Sequence, residues 1–151
     1  METFKLSTRK RPDGEFGSGP LADYYTLPGW DRYEDRCGPM YETRDGVQPK
    51  RCAMLLEPHH CNTFGIVHGG LLMTFADYAI FAVARSDIGP GGGVTVSMTS
   101  DFVAAAREGE LLEASVEVTK ATRSMVFVRG REYVGENTVL SFSAIIKKLR
   151  A

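Results

Sequence analysis

The stretch Asn62-Thr63-Phe64-Gly65-Ile66-Val67-His68-Gly69-Gly70 runs directly into Leu71-Leu72-Met73-Thr74-Phe75-Ala76-Asp77-Tyr78-Ala79-Ile80-Phe81-Ala82-Val83-Ala84. From His59 to Val67 the composition is that of a loop. From Gly69 to about Ser86 it predicts one long helix, apolar nearly all the way round. Such a helix is buried, whereas a surface helix keeps one wet face. It is shorter than a membrane span. Gly89-Pro90-Gly91-Gly92-Gly93 then breaks the chain sharply.

Everything C-terminal to that break reads as strand. Val94 to Val103 places Val96, Met98 and Phe102 against Thr95, Ser97, Thr99 and Asp101. Leu111 to Thr119 places Leu112, Ala114, Val116 and Val118 against polar neighbours. Met125 to Val134 and Val139 to Lys148 complete four strands, with turns at Arg107-Glu108-Gly109, Ala121-Thr122 and Gly135-Glu136-Asn137. A period of two gives each strand one buried and one wetter face. N-terminal to the helix, Met40 to Arg44 and Lys50 to Glu57 read as two strands turned by Asp45-Gly46, the second stopped by Pro58. In that second strand Cys52, Met54 and Leu56 alternate against Arg51, Ala53 and Leu55. Strands joined in sequence by tight turns predict an antiparallel meander. Curled round one apolar helix, it makes an α+β domain over residues 38–151.

Residues 1–37 carry Gly and Pro punctuation together with Tyr24, Tyr25 and Trp30. They read as a partly ordered N-terminal extension whose aromatics dock on the domain. Lys5, Arg9, Lys10 and Arg11 suit either a frayed, solvated tail or a binding arm, and the tail is preferred.

The whole chain has 151 residues, with 43% hydrophobic and 25% charged, which suits a single soluble domain. Its 18 basic and 19 acidic residues leave a net charge of −1, so nothing points to nucleic acid as a partner. No apolar run reaches bilayer length, and no secretory signal is expected at the start. Cys37, Cys52 and Cys61 are odd in number and form no C-x-x-C pair. Reduced thiols in a cytoplasmic protein are the simpler expectation.

Asp77, flanked by Ala76, Tyr78, Ala79 and Ile80, is the outstanding candidate for chemistry. A carboxylate short of water becomes more basic, which suits a general base or a nucleophile. The competing reading is a buried aspartate that only bonds a neighbour. Gly69 and Gly70 open the helix, where the first amides lack internal acceptors and carry partial positive charge. An acyl oxygen gaining charge would be stabilised there. Gly69 and Asp77 are eight residues apart, about 12 Å along one helix axis. One helix cannot bring both to one carbonyl. Two antiparallel copies in a two-fold dimer can, so a dimer or tetramer with shared sites is expected.

Asn62, Gly65, His68-Gly69-Gly70 and Asp77 together reproduce the pattern N-x-x-G-x-x-H-G-G…D. In this the chain resembles the hotdog-fold thioesterases of the PaaI-like and thioesterase superfamily member 2 type, over roughly residues 38–150. The resemblance implies a sheet wrapped round a central helix, dimers often paired into tetramers, and hydrolysis of acyl-CoA thioesters. It implies that the Gly69 amide is the oxyanion donor and Asp77 the catalytic carboxylate. Asn62 matches a residue that holds water or substrate, and His68 matches a hydrogen-bonding histidine of the site. Thr95 falls where the second type has a water-positioning serine, and keeps the hydroxyl. Gly70, Val67, Tyr78 and Phe81 are expected to line the substrate, with Met73 beside them. Lys120, Arg123 and Ser124, with Arg107, are candidates for the CoA phosphates. Coenzyme A is then part of the substrate, and no further cofactor is expected. His59, His60, Cys61 and His68 fit no standard metal spacing, so no metal is expected.

Two rivals stand beside this expectation. A hotdog hydratase or dehydratase would need a catalytic histidine paired with a carboxylate in a D-x-x-x-x-H or Pro-rich setting, which is not found. A non-catalytic acyl-CoA-binding module shares the fold, but an intact Asp77 speaks against it.

Overall fold

The computed structural model describes residues 11–150. Lys5, Arg9 and Lys10 lie outside the described residues. The elements run β1 (Glu15–Phe16), β2 (Tyr24–Thr26), α1 (Arg32–Cys37), β3 (Tyr41–Thr43), β4 (Arg51–Leu55), α2 (Gly69–Val83), α3 (Arg85–Ile88), β5 (Gly93–Phe102), β6 (Leu111–Ala121), β7 (Met125–Val134) and β8 (Asn137–Lys148). The eight strands form one sheet in the order β1-β2-β3-β4-β6-β7-β8-β5, antiparallel at every pairing. Helix α2 lies across its concave face. This is the hotdog arrangement.

Helix α2 buries Leu71, Leu72, Phe75, Ala76, Ala79, Ile80 and Ala82. They meet Met54, Leu112, Ala114, Val126, Val128, Leu140, Phe142, Ala144 and Ile146, the inward residues of four strands. The alanines let sheet and helix approach closely, and Gly130 in β7 makes room for the ring of its cross-strand partner Phe142. A Cβ there would come within 2.6 Å of the Phe142 ring.

Four departures from the sequence expectations have physical reasons. The helix is not dry all round: Met73, Thr74, Asp77, Tyr78 and Phe81 are only half-buried, because they line cavities beside the sheet. The four C-terminal strands are not a simple meander. β6, β7 and β8 are, but β5 crosses to the far edge and pairs with β8, while β6 pairs with β4. The alternation of β5 is interrupted by a bulge between Thr95 and Ser97. The bulge leaves Val96 turned outward and 51% exposed, where an inward residue was expected. Finally, Ala53 is fully buried although it sits on the outer face of β4. The N-terminal segment covers it: Leu21 and Tyr24 pack on Ala53, with Tyr41 and Leu111 beside them, as a second small core.

That segment extends the sheet as well. β1 pairs with β2, and β2 with β3. Helix α1 then crosses α2. Asp31 caps it, accepting from the backbone amides of Tyr33 at 2.8 Å and Glu34 at 3.0 Å. The Tyr33 hydroxyl meets Thr74 Oγ1 at 3.0 Å and ties the two helices together.

Candidate active site

The turn into α2 is built by its own polar groups. Asn62 Oδ1 accepts from the Phe64 amide at 2.9 Å and the Ile66 amide at 3.4 Å. Gly65 takes φ 72°, a conformation that favours glycine. The His68 backbone amide donates to the His60 carbonyl at 2.9 Å. His68 is the N-cap, with Nδ1 accepting from the Gly70 amide at 2.8 Å. A neutral ring then carries its proton on Nε2. With the Gly70 amide occupied, the Gly69 amide is left without an acceptor among the described residues. The Phe102 ring lies over Gly69, 3.1 Å from where a Cβ would stand.

Two turns further along, Asp77 Oδ1 accepts the Thr95 hydroxyl at 2.6 Å. The bulge in β5 makes this contact possible, because Thr95 shares the inward side of the sheet with its partner Ile146. Strand β5 thus runs along the open face of α2, with Thr95 on Asp77, Ser100 on Met73 at 2.9 Å and Phe102 on Gly69.

Asp77, Tyr78 and Phe81 share a cavity of about 640 Å³. Its other walls are Thr26, Leu27, Pro28, Trp30 and Glu34 from the extension, Met40 and Glu42 from the start of the domain, and Arg85 beyond α2. A smaller groove of about 340 Å³ adjoins it, lined by Asp31, Tyr33, Glu34, Met73, Thr74, Asp77 and Tyr78. Burial pushes the Tyr78 phenol well above its usual range.

The remaining expected residues lie elsewhere. Asn62, His68, Gly69 and Gly70 line neither space. Val67 is 5% exposed and belongs to the core, with its amide bound to the Ala106 carbonyl. Lys120, at the end of β6, and Arg123 and Ser124, in the turn before β7, are exposed and line neither space.

The family follows from these features and from comparison with known proteins. A family model described as the thioesterase superfamily matches residues 64–141, more than half of the chain. A Pseudomonas aeruginosa protein named as an esterase is 37% identical over 112 residues, covering 74% of this chain and 84% of its own. This chain belongs to the thioesterase superfamily. It is a thioester hydrolase. Acyl-coenzyme A thioesterase 13 of Mus musculus is 27% identical over 106 residues, covering 68% of this chain and 71% of its own. The fold is shared with a variant of the phenylacetic acid degradation protein PaaI of Thermus thermophilus, at TM-score 0.68 and 24% identity, over 79% of this chain and all of that one (100%).

The family match begins at residue 64, so it leaves out part of the cavity wall of this thioesterase. Glu42 is 1% exposed and binds Arg85 Nη2 through both oxygens at 2.9 and 3.0 Å. Lys50 Nζ lies 3.5 Å away, and Arg11 completes the cluster. Glu34 stands on the other side of the cavity with its carboxyl group pushed up to about 7, chiefly by burial and then by the charges of Asp31 and Asp77. Sequence reasoning missed both residues. A signal for Glu34 was present, since Asp31-x-x-Glu34 has the form of a helix start.

The thioesterase places ligand-type atoms of Glu57, His59 and His60 within 4.8 Å of one another. His60 is already committed: Nδ1 accepts from the Glu57 amide at 2.9 Å, and Nε2 donates to the Cys37 carbonyl at 2.8 Å. The three cysteines are free thiols. No helix among the described residues is long and apolar enough to cross a membrane.

Proposed function

We propose that this thioesterase hydrolyses acyl-CoA thioesters, with Asp77 as the carboxylate that acts at the reacting carbonyl. The observation that carries the proposal is Asp77 on the wall of an aromatic cavity, with Oδ1 held by Thr95 and Oδ2 free of hydrogen bonds among the described residues. A thioester carbonyl placed there meets a fixed carboxylate that takes a proton from water or attacks directly. Trp30, Tyr78 and Phe81 suit an aryl or medium-chain acyl group. Asn62 lines neither space of its own subunit, so a second subunit supplies it, through the side-chain NH2, since its oxygen holds the loop. Lys120, Arg123 and Ser124 lie outside the cavity, in keeping with a phosphate-bearing arm that stays at the surface.

The oxyanion donor is the Gly69 amide of a second subunit. Its own α2 separates Gly69 from Asp77 by about two turns. Edge strand β5 exposes Val94, Val96 and Phe102, and Val103 follows it, at 43%, 51%, 58% and 58%. An apolar edge of this kind suits pairing with a second copy, and a dimer or tetramer results. Free thiols fit a reducing compartment such as the cytoplasm.

Thiol release from a panel of acyl-CoAs varied in length and aromaticity, alongside the molar mass in solution, tests this. Turnover with selectivity for some acyl groups, by a dimer or tetramer, is expected. A monomer, or binding without thiol release, would overturn it.

A further inference from the structure

The carbonyl of a thioester joins an acyl arm and a thiol arm, and Asp77 stands where two spaces meet. The larger, aromatic cavity suits the acyl arm. The smaller groove leads from Asp77 past Met73 and Thr74 towards the start of α2. Of the carboxyls lining both spaces, Asp31 is committed to capping α1 through the Tyr33 and Glu34 amides, and Asp77 accepts the Thr95 hydroxyl. Glu34 is the third. No side-chain hydrogen bond holds it among the described residues. Helix α1 is pinned there by the Asp31 cap and by the Tyr33–Thr74 contact, so the placement of Glu34 is fixed by the fold.

We propose that Glu34 is the acid of the reaction, delivering to the departing sulfur the proton that Asp77 cannot supply while it acts as acceptor. The inference rests on the acyl-CoA reading above and assigns a function to the N-terminal extension, which lies outside the family match. In the step, the C–S bond breaks and its electron pair goes to sulfur. The Glu34 proton moves to that sulfur, giving free thiol and a Glu34 carboxylate. The hydrolytic water gives its hydroxyl to the acyl carbon and its proton to Asp77. That proton reloads Glu34, and the site returns to its starting state.

Electrostatics agree with the geometry. The charges acting most on Glu34 are Asp31 and Asp35 from its own segment, Asp77 from α2 and Glu42 from β3, all negative. Tyr78 and Cys52 are also near enough to feel its charge. The cations of the cavity, Arg11 and Arg85, are engaged by Glu42. Asp77 is held by a hydroxyl donor and Glu34 is not, and two carboxyls with different surroundings in one site can divide the roles of base and acid. Glu34 keeps its proton until the pH rises through about 7.

The test compares leaving groups. With acyl-CoA, the wild-type rate should decline above about pH 7, and Glu34→Gln should lower kcat about 100-fold and abolish that decline. With an S-(4-nitrophenyl) thioester of the same acyl group, whose thiolate leaves without a proton, the loss should be under about threefold. Glu34→Asp, which keeps a proton but shortens its reach, should retain the decline at high pH while lowering the rate. An equal loss for both leaving groups in a Glu34→Gln protein that melts like the wild type, or no loss, would overturn the proposal while leaving Asp77 in place. Absence of thiol release by the wild type from either thioester would remove the acyl-CoA reading and this inference together.

Discussion

Asp77 and Glu132 are both carboxyls on elements that pack the core, yet they stand in opposite situations. Asp77 is half-buried, bonded to Thr95 and open to a cavity. Glu132 is 0% exposed on the inward side of β7, and neither oxygen has a hydrogen-bond partner among the described residues. Burial pushes its carboxyl group well above the ordinary range. Glu42, almost as buried, is held instead by Arg85, Lys50 and Arg11. The comparison teaches that apolar surroundings do not by themselves make a reactive carboxylate. A reactive one also needs a partner that orients it and a space that admits substrate.

The largest effect expected from breaking the comparison is at Asp77. Asp77→Asn keeps the shape and an acceptor for Thr95 but removes the base or nucleophile. It should lower kcat at least about 1,000-fold, some 4 kcal/mol of barrier, with acyl-CoA affinity largely kept. Thiol release under saturating substrate measures this. A loss under about tenfold would place the chemistry elsewhere.

Glu132 comes next, and its expected effect is on stability alone. Glu132→Leu removes an unpartnered buried carboxyl and should raise stability by about 1–3 kcal/mol at neutral pH, with turnover unchanged. The pH dependence has a definite sign. The folded state holds the Glu132 proton above the pH at which the unfolded chain releases it, near 4.5. The contribution of Glu132 is therefore fully present below that pH and is lost as pH rises towards the folded value. Melting of the Leu variant should lack this decline. A parallel decline in wild type and variant would show that Glu132 is not its source.

The same pair shows how much was legible in the sequence. Helix α2 was, because Gly69-Gly70 and Gly89 bracket one apolar run, and so was Asp77 within it. Strands β6, β7 and β8 were, from alternation and tight turns. Glu132 could have been found, since it shares parity with the inward residues Val126 and Val128. The placement of β5 was not legible. Tight turns reveal hairpin neighbours, but the pairing of β5 with β8 joins strands distant in sequence. The bulge at Val96 was also hidden, because nothing in the side-chain pattern marks a residue that leaves the ladder. The half-wet face of α2 was hidden for a different reason: Met73, Tyr78 and Phe81 are the residue types of both a core and a cavity wall. Beyond the Asp31-x-x-Glu34 helix start, the part of the extension in that wall was hidden too, because Leu27, Pro28 and Trp30 lie outside any helix or strand and such residues do not declare their partners.

Thr95 offers the smallest and sharpest test of what separates the two carboxyls. Its hydroxyl is the hydrogen bond that Asp77 has and Glu132 lacks. Thr95→Val keeps the shape of the strand and leaves Asp77 Oδ1 without its donor. The carboxylate is then free to rotate, and a loss of about 1.4 kcal/mol in orientation is about tenfold in kcat. Thr95→Ser restores the hydroxyl and should return the rate to within about twofold of the wild type. KM should move little in either variant, since the bond acts on the carboxylate and not on the acyl arm. If Val and Ser behave alike, the hydroxyl does not orient Asp77 for reaction. The cavity alone would then distinguish the carboxyl proposed to react from the one that is merely buried.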